Sequence, residues 1–244
     1  MSRDHELMDR HLEALFVHDA AGRVVRVRVP NIEPAPRFFL GRFAGGVACR
    51  CRDDVDDALC SALHAAAAAD PVDFAAEVAS DGQAIDTTRY VDILAREAPV
   101  TRMWGGPAFH FPEDIADPAP GDGVPAGEVI LVTDENVEVL RPLLPAWMPD
   151  VHDSPPLFAL VVDGQAVAVC GSVRITASAH EAGVDTAVPF RGRGYAPRVV
   201  VAWARAVRAL GAEPLYSTAW ENAASRAVAR KLGLVLFGTD LSIT

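Results

Sequence analysis

The apolar and polar positions of this 244-residue chain change their period along its length. Arg23–Pro30 alternates Val with Arg, which predicts a strand half exposed to water. Arg37–Phe43 and Gly46–Arg52 flank Ala44-Gly45-Gly46, the pattern of a hairpin. Asp54–Ala69 has helical character, with acids in its first turn where they suit the helix macrodipole. Further helices are predicted over Val72–Ala79 and Thr88–Glu97, and Trp104–Pro112 reads as a turn leading into a short aromatic strand. Asp117–Gly127 then holds three prolines and three glycines in eleven residues. No helix or central strand tolerates that composition, so it reads as a linker. The expected division is an N-terminal α+β domain, 1–127 including the linker, and a second domain, 128–244.

The pattern is sharper after the linker. Glu128–Thr133 is a strand, and Thr133 or Asp134 caps a helix expected to run to about Leu144. Leu157–Val162 and Gln165–Arg174 are apolar strands joined at Asp163-Gly164, a strong hairpin signal. His180–Ala187 is another strand. A long helix is expected from Gly192 to Leu210, stopped by Gly211, with Ala196, Val199, Val200, Trp203, Val207 and Leu210 on one buried face. Pro214–Ala219 is a strand, Asn222 caps a helix ending at Gly233, and Leu234–Ile243 is the last strand.

Composition narrows the function. Half the residues are apolar, as in a folded globular chain, and Met1–Arg10 lacks the apolar core of a signal peptide, so a cytoplasmic protein is expected. The formal charge of −11 is uneven: residues 1–127 hold 12 basic and 21 acidic side chains, residues 128–244 hold 10 and 12. Such a chain is a poor ligand for nucleic acid or an anionic membrane, while its acidic half would attract an amine. Cys49, Cys51, Cys60 and Cys170 fit no zinc spacing and read as buried free thiols, so no metal is expected.

The chemistry is concentrated where the strand ending near Ala187 runs into Arg191-Gly192-Arg193-Gly194-Tyr195-Ala196 and a helix begins. Helix N-termini carry unpaired N–H groups that bind anions. Gly192 and Gly194 remove the Cβ atoms that would hold a phosphate away, and Arg191 and Arg193 add full charge. This segment resembles the R-G-x-G-x-A signature of the GNAT superfamily of N-acetyltransferases, and the resemblance covers about 128–244. Leu215–Asn222, Ser225, Leu232 and Gly233 are similar to the family's strand, Asn-capped helix and following strand.

The resemblance implies an α+β fold, with a GNAT-like mixed sheet flanked by helices in the C-terminal half and a second, smaller α+β N-terminal domain. It implies acetyl-CoA as cosubstrate and an amine as acceptor, with the pyrophosphate at Arg191, Gly192, Arg193, Gly194, Tyr195 and Ala196. Asn222 and Ser225 would complete the cofactor site. The pantetheine would pair with the strand main chain near Val184, Asp185 and Thr186, where an amide would also polarise the thioester carbonyl. Glu181 and Asp185 share one face of that strand and are the candidate bases, with His180 on the other face. The family's tyrosine acid, seven residues after the capping Asn, is replaced by Ala229, leaving Tyr195 and Tyr216 as substitutes. Two rival readings stand beside acetyl transfer: a catalytically silent acyl-CoA sensor, and an aminoacyl transferase built from doubled domains of this fold.

Overall fold

The computed structural model describes residues 1–28, 34–118 and 127–244. Most of the expected linker, residues 119–126, and the end of the Arg23–Pro30 strand lie outside the described residues. In chain order the elements are α1 (Arg3–Leu15), β1 (Phe16–His18), β2 (Val24–Val27), β3 (Phe38–Phe43), β4 (Gly46–Cys51), α2 (Asp57–Ala68), α3 (Phe74–Ala79), α4 (Thr88–Leu94) and β5 (Met103–His110). They continue with β6 (Glu128–Leu131), α5 (Asp150–Asp153), β7 (Leu157–Val162), β8 (Gln165–Ile175), β9 (Ala179–Thr186), α6 (Tyr195–Ala209), β10 (Glu213–Ser217), α7 (Ala223–Lys231) and β11 (Val235–Ile243).

Two compact units result. The first comprises Met1–His110, Ser217–Arg226 and Leu236–Thr244. Its strands run in the order β4-β3-β11-β5, with β1 and β2 forming a separate ribbon. β3 pairs antiparallel with β4 from Phe38↔Cys51 to Phe43↔Gly46, the hairpin its sequence predicts. Gly45, at φ 90°, occupies the turn. The other edge of β3 pairs antiparallel with β11. Both faces of β3 are covered, so Phe38, Phe39 and Leu40 are fully buried. α2 and α4 supply Leu63, Ala67, Tyr90 and Leu94 to the cluster around Phe38 and Leu40.

The buried polar side chains of this unit include two bonded groups. His11 Nε2 lies 2.9 Å from Asp240 Oδ2. Arg42 donates to Glu77 Oε1 at 2.9 Å and to Asp70 Oδ2 at 2.8 Å. Glu77 Oε2 accepts from Thr239 Oγ1 at 2.6 Å, and Tyr90 Oη donates to Asp70 Oδ2 at 2.9 Å. A desolvated guanidinium is tolerated because its charge is matched and its donors are occupied.

The second unit comprises Phe111–Tyr216 and Ala227–Val235. Its strands run in the order β10-β9-β8-β7-β6. β9 and β10 are parallel and the remaining pairs antiparallel, so this is a mixed sheet. Asp163 and Gly164 turn the β7–β8 hairpin with φ 49° and 76°, the two positive values a type I′ turn needs. α6 packs one face of the sheet through Val199, Val200, Trp203 and Val207, all fully buried. Its outward arginines hold the entry segment: Arg208 donates to the Phe111 carbonyl at 2.7 Å and Arg205 to the Ile115 carbonyl at 2.9 Å.

Several expectations are corrected. Arg3–Leu15 is a helix that the sequence reading did not assign, although Leu7, Met8, Leu12 and Leu15 recur at helical spacing and are buried. Trp104–His110 is not a turn but strand throughout. Its glycines serve close packing, since a Cβ on Gly106 would overlap the Thr218 carbonyl oxygen. No regular helix occupies 134–144. A 3-10 turn at Val137–Leu140 stands there, because Asn136 caps back onto the Thr133 N–H and the Leu131 carbonyl and Pro142 has no amide to donate. Cys51 and Cys60 are joined as a disulfide, leaving Cys49 and Cys170 as the free thiols. α6 starts at Tyr195 rather than Gly192, and Leu210 is 66% exposed rather than part of the buried face. No helix among the described residues is long and apolar enough to cross a membrane.

The Gly106 contact leads to a direct expectation. Gly106→Ala should lower the unfolding free energy by about 3 kcal/mol, the upper range for overpacking, because the obstacle is backbone. A denaturant midpoint equal to that of the parent, at the same m value, would show that the strand shifts to accept the methyl group.

Candidate functional site

β9 is the strand on which the expected site residues converge, and its two edges differ. Its antiparallel register with β8 runs from Ile175↔His180 to Ala168↔Thr186. Its parallel register with β10 covers only Glu213↔Ala179, Pro214↔His180 and Leu215↔Glu181. Among the described residues that second register ends at Glu181, while β9 continues for five more residues.

The direction of the main-chain groups beyond Glu181 follows from the ladder. The Ala187 N–H donates to the Val167 carbonyl at 2.9 Å. Antiparallel bonding alternates, so Asp185 and Gly183 also face β8, and Ala182, Val184 and Thr186 point their main chain the other way. Thr186 agrees with this. Its N–H donates to Asp185 Oδ1 at 2.7 Å, and its carbonyl accepts from Arg191 Nε at 2.9 Å. The outward groups of Thr186 are thus engaged locally, while those of Val184 lie along the edge beyond the last β10 pairing.

The side chains alternate in the same way. His180 Nδ1 lies 2.9 Å from Ser172 Oγ, and the Trp203 indole N–H donates to Ser172 Oγ at 3.0 Å. That line ties the even-numbered face of β9 to α6. Burial of His180 holds its imidazole below the usual pKa of 6.5, so it is neutral at neutral pH. Glu181, Gly183 and Asp185 point to the opposite face. There a Cβ on Gly183 would meet Val173 and Trp147, so that position admits no side chain. Glu181 is 1% exposed. Asp185 is half exposed and stands 3.6 Å from Arg191 Nη2. The two candidate bases therefore share a face and differ in environment: one is enclosed, the other is tied to the arginine of the loop.

The loop after β9 has the shape an anion site needs. A 3-10 turn at Val188–Phe190 leads into Arg191, and Gly192 and Gly194 follow with φ of 76° and 80°. A Cβ on Gly192 would meet no atom within 4 Å, so open space lies on that side of the loop. Gly194 is the left-handed N-cap of α6, and Tyr195 and Ala196 are its first two residues. Pro197, the third, carries no N–H and leaves one fewer donor to satisfy. The Arg193 guanidinium stacks 5.3 Å over the Phe190 ring.

Lys231, the last residue of α7, was missed in the sequence. Its Nζ lies 3.0 Å from the place a Gly194 Cβ would take. Arg191, Arg193 and Lys231 thus gather at one helix N-terminus. The only signal in the sequence was that Lys231 is the sole lysine of the chain. Asn222 and Ser225 belong to the first unit, where Asn222 Oδ1 accepts the Ser225 N–H at 3.0 Å. That bond is a helix cap. Ala229, at the position of the family's tyrosine, is buried.

A mixed sheet whose parallel pair ends early, followed by a glycine loop at a helix N-terminus, is the arrangement of the GNAT acetyltransferase fold. Residues 170–240 match the family model described as FR47-like protein, which is GNAT-related, and the resemblance to the GNAT superfamily is upheld. The GCN5-related N-acetyltransferase of Kribbella flavida superposes over 100% of this chain and 95% of its own, with TM-score 0.51 and 15% identity. A GNAT-family acetyltransferase of Colwellia psychrerythraea matches over 98% and 95%, with TM-score 0.48 and 12% identity. A GNAT-family protein of Novosphingobium aromaticivorans, described as a putative acetyltransferase, matches over 59% of this chain and 65% of its own, just under two thirds of that protein, with TM-score 0.46 and 18% identity. At these identities the fold is what is shared, and the Kribbella superposition carries that statement. No curated protein matches the sequence.

The buried His180 sets a pH dependence. Above about 6.5 the folded and unfolded chains both hold it neutral. As pH falls below that value the unfolded chain takes up the proton first, so stability is lost until the pH passes the lowered folded pKa. His180→Asn, which can keep a bond to Ser172, should lose less stability over that window in denaturant titrations. An NMR titration placing the folded His180 at or above 6.5 would contradict the assignment.

Proposed function

We propose that this chain transfers an acyl group, most simply acetyl, from CoA to a primary amine by direct attack. The observation that carries the reading is the edge of β9 beyond Glu181, whose outward main chain at Val184 leads within a few residues to the glycine loop and helix N-terminus at Arg191–Ala196. A cosubstrate with an amide-bearing arm and a pyrophosphate end suits both. The arm pairs with the strand as an added strand would, and the anion meets the N-terminus of α6 flanked by Arg191, Arg193 and Lys231. Asp185 has a positioning role in this scheme. It holds Arg191 together with the Thr186 carbonyl, keeping the guanidinium beside the loop.

In the reaction the amine nitrogen attacks the thioester carbonyl carbon, the carbon–sulfur bond breaks, and the thiolate leaves. The Val184 N–H is the main-chain donor placed to stabilise charge on the carbonyl oxygen. The proton lost by the amine goes to Glu181, directly or through water. A thiolate has a pKa near 8.5 and leaves without a strong acid, which accommodates Ala229. That same alanine is the observation favouring a second reading, a silent acyl-CoA sensor. Release of free CoA across a panel of amines separates the two: a sensor binds acetyl-CoA and releases none above background.

Two substitutions test the roles. Gly192→Asp adds a carboxylate where there is open space, so the fold should persist while CoA binding drops below detection in calorimetric titration. Unchanged affinity in the folded variant would remove the loop from the site. Glu181→Gln should lower kcat by about 10²–10⁴-fold, leave CoA affinity nearly unchanged and abolish the acidic limb of the pH–rate profile. If Asp185→Asn does this and Glu181→Gln is nearly silent, the two roles exchange.

A further inference from the structure

In the first unit, well away in sequence from the loop at 191–196, two cysteines and a histidine converge. Cys51 ends β4, Cys60 lies in the first turn of α2, and His64 follows one helical turn later. Cys51 Sγ, Cys60 Sγ and a His64 ring nitrogen all lie within 4.8 Å of one another. The sequence spacing conceals this group, because its first two members come from different elements. We propose that, once the Cys51–Cys60 disulfide is reduced, Cys51, Cys60 and His64 bind one zinc-class divalent cation, with a fourth position left for water.

The geometry favours a metal over an ordinary thiol pair. Tetrahedral zinc with Zn–S of about 2.3 Å and Zn–N of about 2.0–2.1 Å separates neighbouring ligand atoms by about 3.3–3.8 Å. Cys60 Sγ and His64 Nε2 already stand 3.8 Å apart, on one face of α2. The Cys51 and Cys60 α-carbons are 6.0 Å apart, so the sulfurs reach a similar separation by side-chain rotation alone. Both cysteines are buried against Val55 and Leu63, while His64 is exposed and gives the ion a way in. Two thiolates and a dication sum to zero charge, which suits that apolar wall.

The chemistry balances with a dithiol reductant. It delivers two electrons and two protons, breaks the sulfur–sulfur bond to give two thiols, and leaves as its own disulfide. Metal binding then releases two protons as the thiols become thiolates. The disulfide and the metal site are thus exclusive states of the same two sulfurs.

The test uses the full chain, reduced with dithiothreitol under anaerobic conditions, freed of reductant and titrated with Co²⁺. One equivalent should produce thiolate-to-cobalt charge transfer and the intense visible bands of four-coordinate cobalt, and Zn²⁺ should displace it. The unreduced chain should show neither. His64→Ala, at an exposed position, should weaken zinc at least ~100-fold against a chromophoric chelator, the loss expected for a ligand rather than its support. Cys60→Ser should abolish the charge-transfer band, and Cys49→Ser should leave it intact. Reduced parent protein without cobalt bands would overturn the proposal and leave the disulfide as a brace between β4 and α2. Equal zinc affinity in the parent and His64→Ala would also overturn it.

Discussion

The mismatch between the two edges of β9 is the constraint on which the second unit depends. With β8 the strand is bonded to Thr186; with β10 the register stops at Glu181. A strand left with one open edge must be held in place from elsewhere, or its unpaired groups would find another partner. Here the Trp203–Ser172–His180 line anchors its start to α6, and Arg191 and Asp185 tie down its end. The middle of the edge, at Val184, faces outward with its main chain. The opening is short because both of its ends are fixed.

The same economy governs the loop that follows. Three cations near one helix N-terminus repel one another, and each is restrained from within the protein. Arg191 is held by a carboxylate and a carbonyl, Arg193 rests on the Phe190 ring, and Lys231 is carried by the end of α7. Lys231 sits where the C-terminal dipole of its own helix favours a cation. In the proposed function, a loop organised in this way would leave little ordering cost to be met on binding a phosphate.

What could be read in advance was what local chemistry decides. Asp163-Gly164 must turn because its flanks are apolar runs and its two residues accept positive φ, and the Arg191–Ala196 segment must start a helix because its glycines admit left-handed conformations. Long-range contacts decided the rest. Gly105 and Gly106 suggest a turn when read alone; they are strand residues because the Asp240 and Thr218 main chain lies too close for a Cβ. The Asp134–Leu144 stretch has helical composition up to Pro142, and a side-chain bond from Asn136 wins at its start. Lys231 reaches the site only because α7 ends beside Gly194, a placement with no local signature. The pairing of Cys51 with Cys60 likewise comes from α2 packing on β4.

Glu181 shows how burial and chemistry bear on one another. Its carboxyl group is enclosed to 1% exposure, so in the proposed reaction it meets the acceptor amine away from bulk water. Asp185 is half exposed and faces Arg191, so the difference between the two carboxylates lies in what surrounds them, since the strand itself puts both on one face.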